Sequence, residues 1–455
     1  MRKLFYLNLV IILCANLALG QELSPIQTSL TIYQNNYATV KQDVEFNLAG
    51  SPATISYNIP SLNIVSESVF FTFKGEILSQ SYVQTPDAFE FWLKNGIGKE
   101  ATILFQNGVS YKGKLSFYNR DAAIFTLEDG KTLLVNDLRN SSIMFNDYPF
   151  KEPEPSKITW QLKSNKTGKN TGMLVYHTSG INWRSKYYVY LDEEKQKLSI
   201  YNWAMINNKS GMDFNDVNLK IIAGALNIIS GSPFYYEPTS TRSEAVFKSV
   251  SSFDTEKPLF EYFQYTFHEK ITLKNNETKL LKIFTAENVA YKKTYVYYLN
   301  SYPLLDSKES PIARINFVNT KQNNLGVLLP SGQMDVYVTD KGNIELIGQS
   351  NIQTTPTGDE VSVNVGKVSD ISIEVKQAES SSIIQDNYVR KFKLLCHNFK
   401  NKEAVVEINY SDPFAFEVLN SNIPPKVVET QKLIFEVPIK ANSTFELTFS
   451  LQTKK

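Results

Sequence analysis

The chain has 455 residues, 42% of them hydrophobic, and its 47 basic and 46 acidic side chains leave a net charge of +1. Balanced charge without a basic run gives no reason to expect nucleic acid or another polyanion as a partner. Tyr and Phe number 25 and 28 against 20 Gly, a composition that suits strands with packed aromatic faces and a chain that folds into two to four domains.

The first residues read as an export signal: Arg2 and Lys3 precede an apolar run over residues 4–13, and Ala18-Leu19-Gly20 supplies small residues for cleavage between Gly20 and Gln21. Asn8 interrupts the run, which is short for a span of about 20 residues, so cleavage is expected rather than anchoring, with a secreted or periplasmic mature chain. A lipid on Cys14 is disfavoured by Leu13, where a small residue is needed. Cleavage would leave Cys396 as the lone cysteine, with no internal disulfide available, and no later stretch is long and apolar enough to span a bilayer.

From residue 21 onward the hydrophobic pattern has period two. Ile55-x-Tyr57-x-Ile59, Val361-x-Val363-x-Val365, Ile371-x-Ile373-x-Val375, Leu433-x-Phe435-x-Val437 and Phe445-x-Leu447-x-Phe449-x-Leu451 each predict a half-buried strand. Helical periodicity is scarce, so helices should be few and short. The expected fold is all-β, a multi-module β-sandwich architecture.

Within an N-terminal β domain (21–150), residues 98–145 hold five short apolar runs at 101–105, 114–117, 122–127, 132–135 and 142–145. Turns at Gln106-Asn107-Gly108, Asn119-Arg120-Asp121 and Glu128-Asp129-Gly130 separate three of the steps, and the spacing predicts a small SH3-like or Sm-like barrel. Pro153 and Pro155 among charges mark 151–155 as a linker. A second β domain is expected over 151–302 and a C-terminal sandwich over 303–455, where turn signals recur at Ser331-Gly332, Asp340-Lys341-Gly342-Asn343, Thr357-Gly358-Asp359 and Pro424-Pro425.

Chemistry is harder to find. His177 and His268, in apolar-flanked segments, read as packed strand residues, and His268-Glu269 lacks the second zinc-binding histidine because Thr272 stands in its place. Gly108 to Lys114 has the spacing of a phosphate loop, but Leu115 replaces the hydroxyl residue that meets magnesium. Cys396 and His397 are neighbours on a strand and should face opposite ways. No catalytic constellation, metal site or cofactor is expected. The candidate motif residues are the carboxylate pair Asp213 and Asp216, which reads as a capped turn or as the acids of a glycan hydrolase, and Trp183 with Trp203, which read as core anchors or a sugar-stacking surface. Six N-x-S/T sequons, at Asn140, Asn165, Asn208, Asn276, Asn409 and Asn442, are no more than chance supplies.

Three groups of residues nevertheless form a pattern. Ser179-Gly180-Ile181-Asn182-Trp183-Arg184-x-x-Tyr187, Ile206-Asn207-Asn208-x-Ser210-Gly211-x-Asp213-Phe214-x-Asp216-Val217-x-Leu219 and Ala223-Gly224 come first. Leu329-Pro330-Ser331-Gly332-x-Met334-Asp335-Val336-Tyr337, Ile347-Gly348, Thr355-Pro356-Thr357-Gly358-Asp359-Glu360 and Val365-Gly366-x-Val368-x-Asp370-Ile371 follow. Over residues 158–450 this resembles the DUF4139 domain family, and Thr31-Ile32-Tyr33, Ala38-x-Val40 and Ser66-x-Ser68-Val69 resemble the strand-rich domain that usually precedes it. The coiled coil that many members carry is absent, and Phe214 stands where Trp is more usual. The resemblance implies export and an all-β fold, but no activity and no catalytic residue; the label of mucoidy inhibitor given to some members implies an effect on surface polysaccharide. The reading that follows is a secreted binding or scaffolding protein acting on an envelope protein or polysaccharide, with a secreted glycan hydrolase as the alternative.

Overall fold

A computed structural model describes residues 21–454 apart from positions 60, 62, 84–87, 120, 121, 137, 139, 140, 147, 149–153, 225–253, 256–262, 304, 307, 341, 342 and 383–386. The export signal with Gly20 and Cys14, positions 151–153 of the 151–155 linker, Asn140 and the turn positions 120, 121, 341 and 342 therefore lie outside the described residues. Strands dominate the rest, and among the described residues the only α-helix is Ala88–Asn95. The fold is all-β and sandwich-like. Each of the five period-two runs lies wholly or almost wholly within a strand and turns its apolar positions inward; Val363, Ile373, Phe435 and Leu447 are at most 1% exposed.

Chain contacts divide the molecule into two units, one of residues 21–30, Thr39–Gly180 and Lys209–Val217, the other of Thr31–Ala38, Ile181–Asn208 and residues 218–454. In the first, a four-stranded sheet runs in the order Gln21–Glu22, Ala53–Asn58, Lys157–Lys163, Glu76–Val83. Lys157–Lys163 is antiparallel to both neighbours, so strands from either side of the 151–155 segment share a sheet. A second layer pairs Ile64–Phe73 with Gly168–Ser179. The layers meet at Trp160, fully buried, its ring 5.0 Å from Phe71 and its Nε1 donating to Gln80 Oε1 at 2.6 Å. Burying about 200 Å² of such a ring contributes roughly 5 kcal/mol before conformational entropy.

The five strands expected over 98–145 are present, as Glu100–Phe105, Ser110–Tyr118, Ala123–Leu127, Thr132–Val135 and Ser141–Phe145. Asn107-Gly108 and Asp129-Gly130 turn the chain as their composition predicts, with both glycines at positive φ. The barrel is not formed as a closed sheet: the antiparallel order ends on Thr132–Val135 at one side and Ser141–Phe145 at the other, with no ladder between them among the described residues. These edges are four and five residues long, and the helix Ala88–Asn95, which no pattern announced, contributes Leu93 to the same core as Ile103, Leu115 and Phe125. Gly113 of the phosphate-loop lookalike lies within a strand against the Thr126 carbonyl, where a phosphate loop would open a helix.

Among the described residues, three large sheets lie wholly within the second unit. A five-stranded sheet is ordered Glu277–Ala290, Lys197–Asn208, Ile181–Asp192, Gly332–Asp340, Asn343–Ile352. Its inner side shares a core with Ile312–Val318 and Glu360–Lys367 through Tyr187, Val189, Ile200, Phe317 and Val363. Those two strands begin a six-stranded sheet whose other strands, including Ala404–Ser411 and Lys432–Ile439, share a second core with Ile371–Ser382, Asn387–Asn398 and Ser443–Lys454. Ser331-Gly332 is not a turn: Gly332 opens a strand that runs parallel to Ile181–Asp192, and a Cβ there would strike the Ser185 carbonyl.

Cys396 lies in the second of these cores with no exposure, and burial pushes its thiol up to about 12. The nucleophilic thiolate is therefore scarce at neutral pH. Iodoacetamide is expected to leave Cys396 unmodified in the native chain and to alkylate it in denaturant; rapid native alkylation, read by peptide mass, would contradict the burial.

Candidate binding face

Alternation in Ile181–Asp192 and Lys197–Asn208 sends one set of side chains into the core and the other outward. The antiparallel register sets Trp183 opposite Ile206 and Lys186 opposite Trp203, so the two tryptophans occupy opposite sides of the sheet. Trp183, 1% exposed, donates from Nε1 to the Ile222 carbonyl at 2.9 Å. Trp203 is half-buried on the outer side. Of the two readings offered by the sequence, core anchors or a sugar-stacking surface, Trp183 is a core anchor and Trp203 belongs to an outward surface, so the two do not act as a pair.

That surface gathers aromatic residues from three adjacent strands. Tyr188 and Tyr190 come from one strand, Tyr201 and Trp203 from the second, and Tyr337 from the third, set beside Tyr190 by the parallel register. Tyr190 stacks on Tyr337 with ring centres 5.2 Å apart and meets Tyr201 edge-on at 5.7 Å. Next to them Lys186 Nζ bridges Asp335 Oδ2 at 2.6 Å and lies 5.6 Å from the Tyr188 ring centre. Asp335 Oδ1 accepts hydrogen bonds from Gln349 at 3.0 Å and Gln333 at 3.3 Å. The ion pair is thereby neutralised within the sheet, while partial burial, then Asp335 and the neighbouring tyrosines, raise the Tyr337 hydroxyl above its ordinary value and keep it a neutral donor.

Such a surface is suited to recognition. Tyr and Trp offer large amphipathic contact area with two side-chain torsions each, and the ring contacts and the anchored lysine hold them in place before a ligand arrives.

The remaining candidates are dispersed. Asp213 precedes strand Phe214–Ala223 and Asp216 lies within it at φ 50°; both are exposed, with Phe214 between them and Val217 after them directed inward. His177 is a strand residue beside Thr39 Oγ1 at 3.0 Å, and burial lowers its pKa. His268 is instead exposed in the turn after strand Phe263–Thr266: the apolar run that carries it ends at Phe267. Gln21 begins the strand Gln21–Glu22, which pairs in parallel with Ala53–Asn58.

One grouping went unnoticed in the sequence because its members come from three strands: His397 Nδ1 lies 2.8 Å from Thr444 Oγ1, and its Nε2 3.6 Å from Glu374 Oε2. It has the residue types of a hydrolytic triad but not the geometry. The carboxylate is beyond hydrogen-bond reach of the ring and is bound by Lys376 at 2.7 Å. Cys396 faces the opposite way, into the core. Among the described residues no three His, Cys, Asp or Glu side chains are grouped to hold a metal, and no helix is long and apolar enough to cross a membrane.

Tyr188, Tyr190, Tyr201, Tyr337 and Asp335 were not singled out from sequence as site residues. The signal was the aromatic alternation Tyr188-x-Tyr190 and Tyr201-x-Trp203, which marks outward positions only once the strand register is known. No protein-family model matches the chain, and no curated protein matches it.

Proposed function

We propose that this chain is an exported, non-enzymatic binding or scaffolding protein that engages an envelope protein or polysaccharide through the outer face of its five-stranded sheet. The observation that carries the reading is the ordered aromatic cluster in which Tyr190 packs between Tyr337 and Tyr201 beside the Lys186–Asp335 pair. The five rings are half-buried and stand on the side of the sheet turned away from the core that its inward positions fill. Export rests on the basic and apolar opening residues and the small residues before Gln21. Kinship with the DUF4139 family rests on the resemblance motifs in the sequence alone, those around Trp183 and Gly332 among them.

The test is photo-cross-linking in the producing cell with a photoreactive residue at position 190 or 201, set against an equivalent probe at Ser116 on a different sheet. One recurring adduct from positions 190 and 201, absent from position 116 and, for the probe at position 201, lost in a Tyr190→Ala, Tyr337→Ala chain, is the expected outcome. Adducts that are the same from every position would sink the assignment of this face.

A further inference from the structure

We infer that the ligand of this face is an acidic polysaccharide, a chain of pyranose rings carrying carboxylates, seated on Trp203 and held by Arg184 and Lys282. The inference rests on the reading of the face as the binding surface and adds the class of ligand. Its basis is a local imbalance of charge that the chain's net +1 conceals.

Trp203 lies directly opposite Lys282 on one side and Lys186 on the other, and Arg184, opposite Met205, occupies the next outward position along the same strand as Lys186. Lys186 is neutralised by Asp335 at 2.6 Å. Asp192 and Lys197 face each other at the far end of the same strands. Arg184 and Lys282 are left exposed, with no acidic partner among the described residues. A half-buried indole flanked by two uncompensated cations matches a ring with an apolar face and a peripheral carboxylate. Opposite charge steers and orients such a ligand, and the aromatic face provides contact area that charge alone does not.

The polymer form follows from strand geometry. Outward positions repeat about every 6.7 Å along a strand, so Trp203 and Tyr201, or Tyr188 and Tyr190, present successive rings to a ligand longer than one sugar. The amides of Gln333 and Gln349 beside them, already donating to Asp335, retain acceptor oxygens for sugar hydroxyls.

The experiment is isothermal titration of the full chain with sodium polygalacturonate, dextran and poly-glutamate in turn. Expected are binding of polygalacturonate that weakens about tenfold or more between about 50 and about 500 mM NaCl, a similar loss in Arg184→Gln, Lys282→Gln, and no dextran binding. Both substituted side chains are exposed, and an unchanged thermal melt confirms that the variant is folded. Affinity for dextran equal to that for polygalacturonate, stronger binding of poly-glutamate, or indifference to the double substitution would overturn the assignment of an acidic glycan. If none of the three polymers binds while cross-linking from positions 190 and 201 still captures one recurring protein, the face stands as a binding surface and the glycan assignment alone is lost. Failure of both removes the face.

Discussion

Asp412→Ala is expected to destabilise the second unit by about 3–5 kcal/mol, a large share of the roughly 5–15 kcal/mol that holds a typical domain together. Asp412 and Arg390 have side chains 0% and 6% exposed, and Oδ2 of the aspartate lies 2.6 Å from the guanidinium. The same oxygen accepts from the Tyr410 hydroxyl at 2.5 Å and Ser301 at 2.8 Å, while Oδ1 accepts from the Phe414 amide at 3.0 Å. Removing the carboxylate leaves a buried guanidinium charge and strips three neutral donors of their acceptor, which is why the loss exceeds that of an ordinary surface pair.

The pair also sets a pH dependence. Burial by itself would raise the Asp412 pKa, but the bonds from Tyr410, Phe414 and Ser301 and the charge of Arg390 more than offset it, so the folded value lies below the ordinary 3.8. A depressed carboxylate stabilises the fold above its unfolded pKa and loses that contribution as pH falls through the folded value. Urea midpoints should therefore decline more steeply below about pH 4 in the parent chain than in Asp412→Leu, Arg390→Met, where the acid-labile partner is gone. That double substitution is expected to recover much of the stability lost in Asp412→Ala, since an apolar pair leaves no uncompensated charge. A loss below about 1 kcal/mol in Asp412→Ala would show that the pair is solvated in solution.

Period-two alternation made the strands legible because it is a local property: Val361, Val363, Ile371, Ile373 and Val375 fall on buried positions as written. Sheet membership is not local. Nothing at residues 151–155 announces that Lys157–Lys163 pairs with strands about a hundred residues earlier, and a proline-marked gap in sequence need not be a gap between sheets. Ser331-Gly332 has turn composition, yet the glycine serves a different need, close approach of its strand to the Ser185 carbonyl. The helix Ala88–Asn95 is only eight residues long, too short for its periodicity to stand out from a chain rich in Phe and Trp. The candidate site was half visible for the same reason. Trp203 is conspicuous by type, but the tyrosines around it become one surface only through the parallel pairing of Ile181–Asp192 with Gly332–Asp340, across about 150 intervening positions.

Trp183 and Trp203 separate stability from recognition. Trp183→Ala is expected to cost about 3–5 kcal/mol, because the indole is 1% exposed, packs edge-on with Tyr265 at 6.3 Å and satisfies the Ile222 carbonyl, which the alanine would leave without its donor. Its effect on ligand capture at a temperature where the variant is still folded should be small, since the side chain points away from the outer face. Trp203→Ala should change the urea midpoint little, by about 1 kcal/mol or less, because the half-buried ring faces solvent between Lys186 and Lys282, whereas cross-linking and polysaccharide binding should fall by about tenfold or more. Measuring both quantities on both variants makes the comparison decisive: a destabilised chain that still binds identifies Trp183 as scaffold, and a stable chain that no longer binds identifies Trp203 as contact. Equal loss of stability in the two would mean that the outer rings are structural, and the face would then have no claim to a ligand.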